Sequence, residues 1–366
     1  MGHTTVHDVA VVWGEATGLW QFKQQSWVGM IGVFDSGLGG LTILKAFLRA
    51  LPDYGYLYLG DNARTPYGNK SQEVIHEYTR QAVEFLFARG AVLIILACNT
   101  ASAKALRRIQ QQWLPAHHPT ERVLGVVIPL AEAAVEATRY GRVGIIGTRA
   151  TIASGVYDQE LNKLRTGLKI FGQACPLLVP LVEEGWVGKP ETNRILKKYL
   201  RPLKNSKIDT LVLGCTHYPF LRKDIERIMG KNCRVLDAPR ILAEKLTDYL
   251  RCHPEIEARL AKDGRRRYLT TDDPERFRDL GEPFLGQRIR EVERVVLGWG
   301  GACCWDRHLG MVSAIKQGEE RHLLASSFPH LLSQAPIGDR DRPGVTRRRW
   351  GRFFGLSSRL RGSCSR

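Results

Sequence analysis

A chain of 366 residues, 43% apolar and 25% charged, has the composition of a soluble globular protein and the length for two domains. No apolar run approaches the ~20 residues of a membrane helix, and no basic stretch followed by an apolar core opens the chain as a secretory signal would. Eight irregularly spaced cysteines do not read as a disulfide framework and predict reduced thiols in a cytoplasm, while of the net charge of +17 the +11 carried by residues 30–297 suits an anionic small substrate or acidic partners.

The charge is uneven along the chain. Residues 1–29 hold one Lys against two acids and show no clear period; they read as a disordered leader or as sequence upstream of a mis-assigned start. Residues 31–297 alternate short apolar runs (IGVF, YLYLG, AVLIILA, VLGVVI, RVGIIGT, TLVLG, RVLDAP, RYLTT) with amphipathic stretches. That alternation predicts an α/β fold of parallel sheets covered by helices. Residues 298–366 break the pattern and carry 12 Lys and Arg against 5 Asp and Glu. They read as a poorly ordered basic tail, appended or read through. Aromatics among its arginines would suit RNA or acidic lipid, so any nucleic-acid contact is expected from this tail alone.

Chemistry-bearing residues gather where the apolar runs end. The first run leads into Phe34-Asp35-Ser36-Gly37-Leu38-Gly39-Gly40, with a helix predicted from about Leu41. The glycines lack G-x-G-x-x-G spacing and the loop lacks a P-loop lysine, so a nucleotide site is disfavoured. An acid beside a hydroxyl suits an ammonium group and the orientation of a base; a plain helix cap is the alternative. The second run ends in Gly60-Asp61-Asn62 and is followed by Thr65-Pro66-Tyr67-Gly68. Thr65, Tyr67 and the Gly68 backbone can donate to a carboxylate or serve as turn chemistry.

Two runs end in a thiol. AVLIILA leads into Cys98-Asn99-Thr100, with a helix predicted over 101–111, and TLVLG leads into Cys215-Thr216-His217, with a helix predicted from Tyr218-Pro219. A thiol at a helix N-terminus is expected to have its pKa lowered by the helix dipole. Asn99 and Thr100 supply donors, and His217 can hold a proton. Either cysteine alone reads as a small buried hydrophobe. Two of them at equivalent strand ends read as two proton carriers facing across a cleft. Thr148, ending RVGIIGT, is a ligand contact or a helix cap, and Glu183 or Glu184 is available to pair with His217. Cys303-Cys304 lacks zinc spacing and no G-x-S-x-G elbow is present, so neither a metal site nor a serine hydrolase is expected.

Phe34-Asp35-Ser36-Gly37-Leu38-Gly39-Gly40, Pro66-Tyr67-Gly68, Ala97-Cys98-Asn99-Thr100, Gly147-Thr148, Val182-Glu183 and Gly214-Cys215-Thr216-His217, in that order, resemble the motif set of bacterial glutamate racemase. The match runs from about Met30 to Leu297 and includes Leu269-Thr270-Thr271-Asp272. The resemblance implies a cytoplasmic, cofactor-independent enzyme that interconverts L- and D-glutamate for peptidoglycan synthesis, and it admits a homodimer. It implies two similar lobes, each a mostly parallel sheet flanked by helices, with the active site between them. The first lobe would be 31–125 with 239–297, the second 126–238. Cys98 would act on D-glutamate with Asp35 assisting, and Cys215 on L-glutamate with His217 and Glu183 assisting. Asp35, Ser36, Tyr67, Gly68, Asn99, Thr100, Thr148, Thr216 and His217 would hold the substrate. A racemase for aspartate or another acidic amino acid is the nearest alternative; a cysteine-nucleophile hydrolase and a tail-mediated nucleic-acid binder are further ones.

Overall fold

The computed structural model describes residues 9–14, 19–24 and 28–298. The remainder of the leader, and the basic tail with Cys303 and Cys304, lie outside them. Within 1–29, where no period was expected, β1 (Val9–Gly14) and β2 (Leu19–Gln24) form an antiparallel hairpin.

The alternation of apolar runs becomes two sheets. The first half of the chain supplies β3 (Met30–Asp35), α1 (Leu41–Ala50), β4 (Tyr56–Gly60), α2 (Gln72–Ala88) and β5 (Ala91–Leu96). It continues through α3 (Asn99–Lys104), α4 (Leu106–Arg108), α5 (Leu114–His117) and β6 (Arg122–Gly125). A second set follows: α6 (Val127–Ala137), β7 (Arg142–Gly147), α7 (Arg149–Ala153), α8 (Val156–Leu164) and β8 (Lys169–Ala174). Then come α9 (Leu178–Glu183), α10 (Pro190–Asn205), β9 (Thr210–Gly214), α11 (Arg222–Met229) and β10 (Arg234–Val235). The described chain closes with α12 (Ala238–Cys252), α13 (Pro254–Glu257), β11 (Arg266–Thr270), α14 (Pro274–Leu285) and β12 (Val292–Arg294).

One sheet runs β12-β11-β4-β3-β5-β6 and the other β10-β9-β7-β8, and every pairing in both is parallel. The late strands β11 and β12 thus return to the sheet begun by β3. The central strands β3, β4, β5 and β9 are buried along their whole length. Helices cover both faces of such sheets, which is why these strands are continuously apolar and do not alternate. Neighbouring residues on β3 serve different layers. Val33 belongs to one apolar cluster, with Leu44 and Tyr58, and Phe34 to another, with Leu57, Val83 and Ile94. On the first core α12 lies against α1 and α6, and Lys245 pairs with Glu132 at 2.7 Å.

Three elements depart from expectation. The helix predicted over 101–111 breaks at Ala105 into α3 and α4, and a π-helical turn spans Ile109–Trp113. VLGVVI yields a strand only to Gly125, because Val127 already begins α6. RVLDAP yields just the two residues of β10, since Pro239 in the first turn of α12 and the Asp237 side chain, which accepts from the Arg240 N–H at 3.4 Å, start a helix there. The sequence reading also misses β8, which is half-exposed and lacks an apolar run.

Strand order places the site. In the larger sheet the chain moves from β3 outward to β4, then reverses to place β5 on the other side of β3. In the smaller sheet it moves from β7 to β8, then reverses to β9. Such reversals leave a crevice beyond the carboxyl ends of the two diverging strands. Asp35 and Cys98 stand at the ends of β3 and β5; Thr148 and Cys215 stand at the ends of β7 and β9.

Candidate active site

The loop after β3 is fastened from within. Asp35 is fully buried; its Oδ2 accepts the Gly37 N–H at 3.0 Å and its Oδ1 accepts the Thr216 hydroxyl at 3.3 Å. Gly40, not Asp35 or Ser36, is the N-cap of α1, so the helix-cap reading of the acid and hydroxyl does not hold. Ser36 instead places its hydroxyl 3.3 Å from the Cys98 sulfur. Burial raises the Asp35 pKa, opposed by the charge of His217 and by the N–H donors of Gly37 and Gly40.

These bonds bring the two thiol strands together. Ser36 touches Cys98, and Asp35 is tied to Thr216, the residue after Cys215. The Thr42 hydroxyl adds a 3.0 Å bond to the Thr216 carbonyl. Gly39 packs so tightly against the second strand end that a β-carbon on it would meet Thr216 Oγ1 and stand 2.5 Å from His217 Nδ1. Cys98 and Cys215 are 5% and 7% exposed. Thr100 meets Thr148 at 2.9 Å and Thr151 at 3.1 Å, which closes a second hydroxyl contact between the sheets. Thr148 is at once a helix cap and part of this contact, since it accepts the Thr151 N–H at 3.2 Å.

The two thiols have different surroundings. Cys98 is the N-cap of α3, where the dipole was expected to lower its pKa. Burial dominates instead and pushes it up to about 12, with the negative charge of Asp35 adding to the rise and the Ser36 hydroxyl opposing it. A six-residue helix broken at Ala105 has little dipole to offer against full desolvation. Cys215 lies 3.8 Å from His217 Nδ1, and His217 Nε2 lies 3.0 Å from Glu183 Oε1. Burial works to lower the His217 pKa, but the hydrogen bonds and charges of Cys215 and Glu183 prevail and hold it up at about 10. Glu183 ends α9, whereas Glu184 is exposed and outside the cluster. The helix expected from Tyr218-Pro219 begins as a 3-10 turn, Tyr218–Leu221, and becomes α11 at Arg222.

Tyr67 and Gly68 occupy a separate loop beside the second sheet. The Tyr67 hydroxyl, expected to be free for a carboxylate, donates to the buried Asp61 at 2.5 Å. Asp61 also accepts Arg64 Nε at 2.7 Å and the Thr271 hydroxyl at 2.8 Å, so this network braces the loop. Gly68 is pressed against Thr148, 2.8 Å from a notional β-carbon to Thr148 Cβ. Asn99 is 5% exposed and receives the Tyr157 hydroxyl at 2.7 Å. Tyr157, Thr151, Thr42 and Asp61 were not singled out by the sequence reading. Tyr157 and Thr151 carry the signature of ordinary helix-face residues, and only the sheet arrangement reveals what they touch.

A cavity of about 930 Å³ lined by Thr42, Pro219, Phe220 and Phe284 lies between α1, α12 and α14, and neither thiol borders it. The chemistry is concentrated in the tightly bonded zone between the strand ends.

Comparison with known proteins identifies the family. The family model for Asp/Glu/hydantoin racemase matches residues 31–246. A glutamate racemase of Chlorobaculum tepidum is 42% identical over 267 residues, covering 72% of this chain and 95% of that protein. Among solved structures, a glutamate racemase isoform from Bacillus anthracis superposes with a TM-score of 0.68 at 36% identity, covering 74% of this chain and 98% of that one. A glutamate racemase from Francisella tularensis, solved in complex with D-glutamate, gives 0.67 at 33% identity and covers 74% and 98%.

Proposed function

The chain belongs to the Asp/Glu/hydantoin racemase family and, within it, to the glutamate racemases, and from that premise we propose that Cys98 and Cys215 are the two bases that move the Cα proton of glutamate. The first lobe is assigned to 31–125 with 239–297 and the second to 126–238. The observation that carries the proposal is the bond that the Thr216 hydroxyl gives to Asp35 together with the Ser36–Cys98 contact. These tie one buried thiol to the neighbour of the other.

In the L-to-D direction the Cys215 sulfur, as thiolate, takes the Cα proton. The Cys98 thiol gives its proton to the opposite face of the planar intermediate. The enzyme is left with a Cys215 thiol and a Cys98 thiolate, and the D-to-L direction returns both to the start. A protonated His217, held by Glu183, puts a positive charge beside the Cys215 sulfur when that sulfur is an anion. Cys98, pushed up to about 12 in the free enzyme, rests as a thiol and is suited to donate. Burial is the main reason Cys98 is raised; substrate ammonium near Asp35 offsets the lesser contribution of that carboxylate, which favours ionisation of Cys98 when D-glutamate is bound. The Cα–H beside an ionised carboxylate is a weak acid, so the developing charge needs fixed donors in a dry site. Ser36, Asn99, Thr100, Thr148, Thr216 and the main chain of Tyr67 and Gly68 are the donors assigned to the carboxylates, and Asp35 is assigned to the amine. The product D-glutamate serves peptidoglycan synthesis.

The test is a polarimetric assay with L-glutamate and L-aspartate in parallel, with no cofactor added. Racemisation of glutamate with little on aspartate is expected. A strong preference for aspartate overturns the substrate assignment.

A further inference from the structure

Asn99 follows Cys98 directly, and its amide, like the Thr100 hydroxyl, is held by residues of the other lobe. The Tyr157 hydroxyl reaches Asn99 Oδ1 at 2.7 Å, with both residues buried. Tyr157 is the second residue of α8, on the second sheet's side, while Asn99 opens α3 on the first. The tyrosine ring packs at the end of β9: a β-carbon on Gly214, next to Cys215, would lie 3.4 Å from Tyr157 Cε2. A second tie keeps α8 in place, because Glu160, one turn on, accepts Arg107 of α4 at 2.6 Å. Leu161 beside it is fully buried.

A carboxamide has one acceptor end and one donor end. When the acceptor end is taken by a phenol, the two N–H bonds face away from it. Burial holds the Tyr157 phenol in its protonated, donating form. A rotated amide could still give an N–H to the phenol oxygen, but it would turn its carbonyl oxygen toward an anionic ligand, so the observed orientation, with Oδ1 on the phenol, is the one that suits a carboxylate.

We propose that Tyr157 is a positioning residue that locks the Asn99 amide with its N–H groups presented to the substrate carboxylate, so that this donor is set only while the two lobes are in contact. The inference rests on the assignment of Asn99 as a substrate contact.

The experiment compares Tyr157→Phe, Asn99→Ala and the double variant, each assayed with L- and D-glutamate and melted without ligand. Tyr157→Phe removes one oxygen and keeps the ring. A single hydrogen bond of this kind is worth roughly a five- to tenfold rise in KM. That rise is expected in both directions with a smaller change in kcat; the amide oxygen left without its partner also lowers the melting temperature by a few degrees. Because Tyr157 acts through Asn99, the double variant should have the KM of Asn99→Ala alone. A Tyr157→Phe KM equal to the parent's, or an effect that adds fully to that of Asn99→Ala, overturns the inference while leaving Asn99 as a substrate contact. An Asn99→Ala KM equal to the parent's overturns both the inference and the assignment of Asn99 on which it rests.

Discussion

Replacing Gly39 by alanine measures how closely the first loop is fitted to the second thiol's histidine. Gly39 is not among the glycines with positive φ, so alanine carries no backbone penalty there. The effect comes from the β-carbon alone. It would fall on Thr216 Oγ1 and stand 2.5 and 2.6 Å from Nδ1 and Cε1 of His217. Ordinary contact needs about 3.5 Å, so the ring or the loop must yield by about 1 Å. His217 is 5% exposed, hydrogen-bonded to Glu183 at 3.0 Å and set edge-on to Phe284, so it has little room. Overpacking of this kind costs about 1–3 kcal/mol, which lowers the melting temperature by several degrees. A misplacement of about 1 Å at the chemistry costs about 10²-fold in rate. Gly39→Ala should therefore fold, melt lower and lose about two orders of magnitude in kcat in both directions, followed by circular dichroism of glutamate. Gly37→Ala is the control for stability. Its β-carbon meets nothing nearer than Thr65 Oγ1 at 3.6 Å, an ordinary contact, so its melting temperature should stay near the parent's. Gly39→Ala with a kcat within about threefold of the parent would refute the tight fit between this loop and His217.

Cys98→Ala and Cys215→Ala should each lower racemisation by at least about 10²–10⁴-fold while leaving the melting temperature close to the parent's; one variant that retains parental turnover would defeat the two-base assignment. His217→Asn tests the raised imidazole. The folded pKa of about 10 lies above the ordinary histidine value of 6.5. The stability it contributes is therefore fully present below about pH 6.5 and is lost as pH rises through about 10. The gap in melting temperature between parent and His217→Asn should be widest at pH 6 and shrink toward pH 10. A gap that widens with pH would reverse the sign and remove the ion pair from the account.

Much of this site is legible in the residues, for a reason that concerns strand ends. A strand buried on both faces is a continuous apolar run, so the point where AVLIILA and TLVLG give way to Cys98 and Cys215 marks where the backbone leaves the sheet. The chemistry sits at that point in both lobes. The residues alone left Glu183 and Glu184 open as partners of His217, and only the resemblance named Glu183; the choice depends on where α9 stops. The helix-dipole expectation for Cys98 failed because a local rule was applied to a group whose desolvation is set by residues far along the chain. The bond from the Tyr67 hydroxyl to Asp61 was equally hidden, since the two are six residues apart and no spacing rule pairs them. Tyr157 could not be read at all. Nothing in a lone tyrosine of an amphipathic helix reveals that an amide 58 residues earlier lies 2.7 Å away across the cleft.

The central claim is that two different thiols handle the two faces of one carbon. Its most direct test is to incubate the enzyme with L-glutamate protiated at Cα in D₂O and stop at low conversion. Cys98, exchanged with solvent beforehand, then delivers deuterium. The D-glutamate formed should carry deuterium at Cα while the recovered L-glutamate remains protiated. D-glutamate that carries the substrate's own hydrogen would mean that one base serves both faces, and would contradict the account.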